Sequence, residues 1–351
     1  MPHEHDALIQ DLARMPKVDL HRHLGGSLRI ASLLELAHNS DVELTGGAER
    51  LLERIQVCDS DPKTPENFLN KFVVLREFLH SPELICRLTR EVVEDAAADH
   101  VRYMELHFTP FSFAQPYGFR LQDVFDWVTA SVAEAAEANG IRVSLVATIN
   151  RRERVEDAED VVQLACDRLG RGIVGLGLAG DERSYPADPF LPLFQAARQA
   201  GLGITVHAGE WTDARSVRHA LEEIEADRIG HGICVLDDPD LVALAREKRV
   251  VFEVCPTSNV HTGAIAIFHE HPLPQMIASG LRVTLNSDDP SVSGIRLTDE
   301  YAQVVQHLDF SVETIKGMIL TSVQAAFLPP QEKLAMEADF IANLFEGSPR
   351  G

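Results

Sequence analysis

Histidine and aspartate residues stand at the ends of four apolar runs that have the length of strands. His21 and His23 are two residues apart, so on a strand their side chains project to the same side and can share one ion. His207, His231 and Asp288 each close a later run, in the segments ITVHAGE, RIGHG and VTLNSDD. Buried groups of these types need polar partners, and a metal ion is one such partner. Three of these four imidazoles and the carboxylate, around an open position, predict a catalytic transition-metal site, with zinc as the expected ion.

The other histidines do not share this placement. His107 lies near the end of an apolar run in MELHFTP, and both a core role and a role in the site stay open for it. We expect ordinary core or surface roles for seven more, which are His38, His80, His100, His219, His269, His271 and His307.

Eight apolar runs alternate with amphipathic segments, which is the pattern of repeated βα units. The predicted strands are residues 17–21, 101–108, 141–149, 173–179, 203–207, 228–231, 250–255 and 281–286. The predicted helices between them include residues 123–139, 155–169, 189–200, 217–224 and 239–248. A (β/α)8 barrel is the simplest fold for this order, and a doubly wound open sheet is the alternative. The C-terminal strand ends of a barrel meet at one mouth, which would bring the four strand ends together.

The region after the first strand carries only helical patterns. Residues 30–97 include the helix-like segments 32–38 and 68–79, and we interpret this region as an enlarged helical insertion within the barrel. Residues 311–345 predict one or two extra C-terminal helices. No linker or low-complexity run interrupts the sequence, so residues 1–351 are predicted to form a single domain.

Composition excludes several classes of function. The chain has 351 residues and a formal net charge of −22, which disfavours a nucleic-acid partner because such partners are bound through basic residues. No apolar stretch is long enough to span a bilayer, so we expect no membrane partner. The first residues lack the basic start and apolar run of a secretory signal, and we expect a cytoplasmic protein. The five cysteines are scattered without a paired framework. Oligomeric state is left open.

Five motifs, in order along nearly the whole chain, resemble those of the adenosine deaminase family of the amidohydrolase superfamily. They are H-x-H-L-x-G-S from His21, LAGDE at residues 178–182, HAGE at 207–210, IGHG at 229–232 and NSDDP at 286–290. FLNKF at residues 68–72 and AAFLPPQEK at 325–333 also resemble family segments. The resemblance implies a metal-dependent hydrolase that converts a 6-aminopurine nucleoside to its 6-oxo product and ammonia, with one Zn²⁺ per chain.

The resemblance also implies a role for each matching residue. The implied zinc ligands are His21, His23, His207 and Asp288. His231 would orient and deprotonate the water, and Glu210 would be a protonated carboxyl that donates to purine N1. The implied substrate contacts are Asp289 to purine N7, the Gly180 backbone to N3, and the pocket helix with Phe68 and Phe72.

The chemistry requires these residue types independently of the resemblance. Addition of hydroxide to C6 needs a proton at N1, where negative charge develops, so a neutral acid must lie beside the nucleophile. Glu210 therefore needs a raised pKa, which burial under a purine would favour. Asp288 and Asp289 are adjacent like charges, and a cation bound by one leaves the other for the substrate.

Gly25 departs from the family pattern, in which an acidic residue after H-x-H-L contacts the ribose 5′-hydroxyl. Glycine removes that acceptor, so one hypothesis is a 5′-modified substrate such as aminodeoxyfutalosine or a 5′-thio-substituted adenosine. The alternative is that Gly25 and Gly26 serve a tight turn. Adenine also stays possible. N6-methyl-AMP is less expected, because we find no basic cluster after the strand ends to receive a phosphate, although Arg22 and Arg29 are near in sequence.

Two rival functions differ in their predicted features. A binuclear hydrolase of the same barrel class also opens with H-x-H, but such sites use a modified lysine at the fourth strand end, and IVGLGLAGDE has none. A barrel that only binds ligands would be expected to lack catalytic residues, whereas those named above are present. The signature of the nucleic-acid-editing zinc deaminases, H-x-E with P-C-x-x-C, does not occur in this sequence.

Overall fold

Eight parallel strands form the centre of the molecule, and the computed structural model describes residues 2–39, 44 and 50–346. The strands are β1 Lys17–His23, β2 Val101–Phe108, β3 Arg142–Asn150, β4 Ile173–Ala179, β5 Gly203–Ala208, β6 Arg228–His231, β7 Val251–Val254 and β8 Arg282–Leu285. They pair in sequence order from β1 to β8. The strands are almost entirely buried, as expected when helices cover a parallel sheet.

Backbone and side-chain hydrogen bonds join β8 to β1 and bring the sheet close to a full barrel. The Asp288 N–H donates to the His21 carbonyl at 2.8 Å, and the His23 N–H donates to the Asp288 carbonyl at 2.8 Å. The Leu20 N–H donates to the Asn286 side-chain oxygen at 3.0 Å. The predicted (β/α)8 barrel is confirmed, and the alternative of an open sheet is not. This junction also places Asp288 directly beside both histidines of the H-x-H motif.

Helices surround the barrel. They are α1 Pro2–Arg14, α2 Ile30–His38, α3 Leu51–Ile55, α4 Pro65–Glu77, α5 Pro82–Ala98, α6 Pro110–Ala114, α7 Leu121–Asn139, α8 Val155–Asp167, α9 Leu191–Ala200, α10 Ala214–Glu222, α11 Pro239–Glu247, α12 Pro256–His261, α13 Leu273–Ala278, α14 Pro290–Ser293, α15 Leu297–His307, α16 Val312–Ala325 and α17 Pro330–Ile341. Short 3₁₀ segments and a π-helical turn at Ala342–Glu346 complete the described structure. The two extra C-terminal helices, α16 and α17, agree with the prediction for residues 311–345.

The region between β1 and β2 is helical wherever the structure describes regular elements in it. Helix α5 packs against α7 and β2, as a helix of the outer ring would. Helix α4 starts where Thr64 accepts a hydrogen bond from the Asn67 N–H at 3.2 Å and Pro65 takes the first helical position. Some residues of the predicted insertion, 40–43 and 45–49, lie outside the described residues.

A buried ion-pair network crosses the barrel interior below the strand ends. The Arg228 guanidinium pairs with both Glu105 and Glu253 and lies over the Phe327 ring at 3.5 Å from its centroid. Because each charge has an opposite partner, the network avoids the large cost of a lone buried ion. Glu253 also contacts His21, so this network supports the residues at the mouth.

The sequence-based strand limits differ from the observed ones by at most two residues. The carboxyl ends of the strands open into one cavity, as the barrel prediction required. The five cysteines are all free. No helix of the described chain is long and apolar enough to cross a membrane.

Candidate active site

Five side chains from four strand ends meet at the mouth of the barrel. The Nε2 atoms of His21 and His23 lie 3.3 Å apart, and they are 3.6 and 3.4 Å from Asp288 Oδ1. The ring of His207 is centred 4.5 Å from that of His21. His231 Nε2 lies 3.9 Å from Asp288 Oδ2. The structure therefore brings together every residue that the strand-end argument selected.

These residues fit a divalent metal ion. Possible ligand atoms of His21, His23 and Asp288 lie within 4.8 Å of one another, and so do those of His21, His207 and His231. Burial lowers the pKa of His21, His23 and His207, so that their imidazoles are neutral and can offer a lone pair. His207 Nε2 is buried without a hydrogen-bond partner in the described structure, as expected for a ligand atom. Mixed imidazole and carboxylate donors suit zinc.

Glu253 fixes the orientation of His21. Its Oε2 atom accepts hydrogen bonds from His21 Nδ1 at 2.7 Å and from the Thr205 hydroxyl at 2.9 Å. A proton held at Nδ1 leaves the lone pair on Nε2, which is the nitrogen that faces His23 and Asp288. Carboxylates commonly support metal-binding histidines in this way.

Glu210 lies at the edge of the histidine cluster. Its Oε2 atom is 3.5 Å from His231 Nε2, while Oε1 accepts hydrogen bonds from Asn259 Nδ2 at 3.2 Å and the Thr262 hydroxyl at 3.3 Å. Burial is the main cause that raises the pKa of Glu210 to about 7. The raised pKa that the chemistry requires is thus present in the fold itself, without a purine to cover the carboxyl.

The loop that carries Glu210 is organised by Glu182, a residue for which the sequence predicted no role. The Glu182 carboxylate accepts hydrogen bonds from the backbone N–H groups of Gly209 at 2.9 Å, Glu210 at 2.7 Å and Thr212 at 3.2 Å, and also from that of Trp211. Several N–H groups that turn toward one carboxylate fix the loop conformation. The sequence did contain a signal, since Glu182 ends the LAGDE motif.

One cavity of about 810 Å³ is lined by His23, His207, His231 and Asp288 of the cluster. It is also lined by all the predicted substrate contacts, which are Gly25, Phe68, Phe72, Gly180 and Asp289. The Gly180 backbone has φ +103°, a conformation that disfavours other residues. A Cβ on Gly26 would lie 1.8 Å from Asp289 Oδ1, so glycine is required there for close packing. Asp289 Oδ1 itself is buried and has no hydrogen-bond partner among the described residues.

Comparison with known proteins identifies the family to which the chain belongs. A family model described as adenosine deaminase matches residues 16–343. The chain belongs to the adenosine deaminase family. An adenosine deaminase of Clostridium perfringens is 31% identical over 331 residues, which are 94% of this chain and 99% of the relative. Members of the family are hydrolases that deaminate aminopurines, and the chain is such an enzyme.

Solved structures of the same fold differ in what their names say they act on. An adenine deaminase from Arthrobacter aurescens is 30% identical, has a TM-score of 0.85, and covers 95% of this chain and 99% of its own. An Arabidopsis N6-mAMP deaminase is 27% identical with a TM-score of 0.85 and the same two coverages. An amidohydrolase from Burkholderia ambifaria, solved with bound Zn, is 25% identical with a TM-score of 0.86, and it covers 96% of this chain and 92% of its own.

A hydrogen-bond relay in this family member assigns the tautomer of His231. The Leu273 N–H donates to His271 Nδ1 at 3.1 Å, so neutral His271 carries its proton on Nε2 and donates to Asn259 Oδ1 at 3.2 Å. Asn259 Nδ2 then donates to His231 Nδ1 at 3.1 Å. Because Nδ1 accepts this hydrogen bond, His231 carries a proton on Nε2 and presents an Nε2–H donor to the cavity. His271, expected to be an ordinary core histidine, supports the site through this relay.

His107 is a structural neighbour of the cluster. Its Nε2 atom donates to the Leu20 carbonyl at 3.1 Å, and burial lowers its pKa to about 3, so the ring is neutral. Its ring is centred 5.0 Å from that of His21. His107 also lines the cavity, with its Nε2 atom committed to the Leu20 carbonyl.

Basic residues line the outer region of the cavity of this adenosine deaminase family member. They are Arg76, Arg152, Arg154 and Arg183. The expectation that no basic cluster follows the strand ends is wrong, because N-R-R-E-R at residues 150–154 follows β3 directly. The two arginines near the first motif in sequence do not contribute to this cluster. Arg22 is buried away from the cavity lining, and Arg29 pairs with Asp95 and Glu94.

Proposed function

We propose that this enzyme catalyses the zinc-dependent hydrolytic deamination of a 6-aminopurine nucleoside, giving the 6-oxo product and ammonia. The observation that carries the proposal is the juxtaposition of the neutral histidine cluster and the buried Glu210 in one cavity. The first group suits a cation that activates water, and the second is an acid whose pKa is raised to about 7. Addition of water to C6 needs both.

The proposed ligands of a single Zn²⁺ are His21, His23, His207 and Asp288. When bound, the ion would supply Lewis acidity and lower the pKa of a coordinated water. The lone pair on His21 Nε2 and the unpartnered His207 Nε2 support this set. A second ion is not proposed, because the end of β4 offers no lysine to bridge two metals.

Glu210 is the proposed acid. Its carboxyl would give its proton to purine N1 as the water oxygen bonds to C6, and the resulting carboxylate would take up the proton that the water releases. The proton of the new C6 hydroxyl would then pass to N6 as the C6–N6 bond breaks, which gives the 6-oxo purine and ammonia. The Asn259 and Thr262 hydrogen bonds hold Oε1 and leave Oε2 toward His231 and the cavity. The acid is therefore positioned before the substrate binds.

His231 is the proposed residue that orients the attacking water. Its tautomer in the relay makes Nε2–H a donor, so it would hold the oxygen nucleophile by donating to it. The deprotonating role implied by the family resemblance would need the opposite tautomer and a reversed Asn259 amide. Asp289 to N7, the Gly180 backbone to N3, and Phe68 and Phe72 beside the purine complete the proposed contacts.

Among the possible substrates we propose a nucleoside that is modified at the 5′ position. A Cβ on Gly25 would meet the Phe113 and Phe72 rings at 3.8 and 3.9 Å, so the space at the family's acidic position is bordered by apolar groups. Such a wall favours a 5′-thio substituent or an aryl substituent, as in aminodeoxyfutalosine, over a bare hydroxyl. Free adenine would leave this outer space unfilled, and N6-methyl-AMP would place a phosphate against the rings.

A panel of aminopurines tests the reaction and the substrate together. The zinc-loaded enzyme is incubated with adenine, adenosine, 5′-methylthioadenosine, aminodeoxyfutalosine and N6-methyl-AMP, and the ultraviolet shift from 6-amino to 6-oxo purine is followed. We expect the highest kcat/KM for a 5′-modified nucleoside. No turnover of any member would contradict the reaction, and a clear preference for adenosine would contradict the 5′ assignment. Metal analysis that finds two ions per chain, both needed for turnover, would contradict the single-ion site.

A cytoplasmic location and the lack of nucleic-acid and membrane partners remain predictions. The prediction about nucleic acid rests on the formal net charge of −22. A small-molecule partner is supported by relatives such as the Arabidopsis ADAL protein, whose structure was solved in complex with IMP.

A further inference from the structure

The outer cavity contains two kinds of arginine. Arg154 lies 3.2 Å from Glu156 Oε2, and Arg183 lies 2.6 Å from Glu66 Oε1. These two guanidiniums have acidic partners, and their charges are accounted for within the protein. The other two cationic side chains at this end of the cavity, Arg76 and Arg152, lack such partners among the described residues.

Arg76 and Arg152 have no acidic partner among the residues that the structure describes. Arg76 is half-buried on α4, and the structure records no hydrogen bond from its guanidinium. Arg152 is exposed, and its guanidinium lies 5.5 Å from the centre of the Tyr185 ring. Burial first and the charge of Arg152 second lower the pKa of Arg76. Two like charges thus face one cavity and disfavour each other.

Glu153, next to Arg152 in sequence, does not neutralise this pair. Both of its carboxyl oxygens are buried without a hydrogen-bond partner in the described structure. Burial raises the pKa of Glu153 to about 8, so at pH 7 the carboxyl is mostly protonated. Glu153 therefore leaves the charges of Arg76 and Arg152 without compensation. The other acidic residues of the outer lining, Asp157 and Asp181, lie beside Arg154 and Arg183.

The two arginines without acidic partners lie beyond an apolar passage. Gly25 borders Phe72, and Arg76 is four residues after Phe72 on α4, which places both side chains on one face of that helix. A substituent that leaves the ribose beside Gly25 would pass the Phe72 and Phe113 rings before it reaches Arg76. An acidic residue at position 25 would add a charge to that passage that repels an anion, and glycine does not.

We propose that Arg76 and Arg152 form an anion subsite, which binds a carboxylate or phosphate at the far end of an apolar 5′ substituent of the substrate. This assignment rests on the proposed nucleoside deamination and specifies its substrate class. Guanidinium groups bind such oxyanions through paired hydrogen bonds. The purine, the apolar spacer and the anion would then occupy the inner, middle and outer regions of one cavity.

A matched pair of substrates tests the subsite. The neutral member is 5′-S-phenyl-5′-thioadenosine, and the charged member is its 3-carboxyphenyl analogue. We expect kcat/KM for the charged member to exceed that of the neutral one by ~10-fold or more, as charge-assisted hydrogen bonds imply. The AMP-to-adenosine ratio of kcat/KM tests a phosphate that is attached without a spacer, and we expect this ratio to be smaller than that of the aryl pair. A larger AMP-to-adenosine ratio would contradict the need for an apolar spacer between the ribose and the anion.

Substitution of the arginines tests which side chains cause the preference for the charged substrate. Arg76→Gln and Arg152→Gln should each lower the charged-to-neutral ratio several-fold, and the double variant should bring it near one. Arg76→Lys should restore some of the ratio, because the positive charge remains. Arg154→Gln is the matched control from the same rim, whose charge is paired with Glu156, and it should keep the wild-type ratio. Zinc content and thermal melting check that each variant is folded.

The outcomes separate this inference from the proposed reaction. If the wild-type enzyme turns over neither member of the pair nor adenosine, the proposed deamination has failed. If it turns over the neutral member and the ratio is near one, only the anion subsite is overturned. A high ratio that survives both Arg76→Gln and Arg152→Gln would also overturn it, since another group would then bind the anion.

Discussion

The inner and outer regions of the cavity are built differently. In the inner region the buried polar side chains hold one another: Glu253 fixes His21, Asn259 fixes both His231 and Glu210, and Glu182 fixes the loop beside them. In the outer region, a pair of arginines has no acidic partner among the described residues, and a glycine occupies the family's acidic position. The inner region therefore sets the reaction, while the outer region can vary to set the substrate.

The largest expected effect is in the inner region, at Glu210. Glu210→Gln keeps the shape of the side chain but removes the proton that it donates, so we expect kcat to fall by ~10²- to 10⁴-fold. Zinc content should stay near that of the wild type, because Glu210 is not a proposed ligand. Steady-state kinetics and metal analysis provide the measurement, with the exposed Glu223→Gln as control. Unchanged turnover would remove Glu210 from the acid role.

A second prediction for the inner region concerns the support of the metal ligands. Glu253→Gln weakens the acceptor for His21 Nδ1, so we expect the affinity for zinc to fall by ~10- to 100-fold. The control is Glu105→Gln, because Glu105 pairs with the same Arg228 but does not touch His21. Competition with a chelator measures the zinc affinity of both variants. Equal losses in the two variants would mean that the ion pair, and not the His21 contact, controls affinity.

The sequence predicted the inner region far better than the outer region. His21, His207, His231 and Asp288 lie at strand ends, and barrel geometry alone brings strand ends to one mouth. In the sequence, Glu182 stood out only as the last residue of the LAGDE motif. Its role depends on the conformation of a neighbouring loop, which turns backbone N–H groups toward the Glu182 carboxylate. Hydrophobic periodicity carries no information on such local contacts.

The arginines show a second limit of sequence analysis. Arg152 follows β3 directly and could have been noticed, since strand ends were already the criterion. Arg76 lies on α4, an inserted helix, and no rule of barrel topology says which face of an insertion meets the cavity. Whether each charge is paired also depends on side-chain distances, as the contrast between Arg76 and Arg183 shows.

For the outer region, we expect a substitution at Gly25 to have a smaller effect than the two inner substitutions. Gly25→Asp should fit, because a Cβ there makes only ordinary contacts of 3.8 and 3.9 Å. The new carboxylate could accept a hydrogen bond from the ribose 5′-hydroxyl, so we expect the ratio of kcat/KM for adenosine over 5′-methylthioadenosine to rise by ~10-fold. Gly25→Ala should not raise it. A similar rise with alanine would show that volume, not the acceptor, sets specificity.

The smallest effect concerns stability in the outer region. The folded-state pKa of Glu153 is about 8, above the ordinary 4.5, so the native protein keeps a proton that the unfolded chain loses between these values. The stability that the protonated carboxyl permits is therefore lost as pH rises from about 4.5 through 8. Glu153→Gln should raise the free energy of unfolding at pH 8 by on the order of 1–3 kcal/mol, and by less at pH 5.

Denaturant melts at the two pH values measure this difference, with the exposed Glu156→Gln as the control that should show no such pH dependence. An equal effect of Glu153→Gln at both pH values would mean that Glu153 ionises normally. Its carboxylate would then offset the charge of the arginine pair, and the contrast between a balanced inner cavity and an outer cavity with two uncompensated arginines would be lost. The stability of one buried carboxyl therefore tests the electrostatic basis of the proposed substrate preference without a substrate.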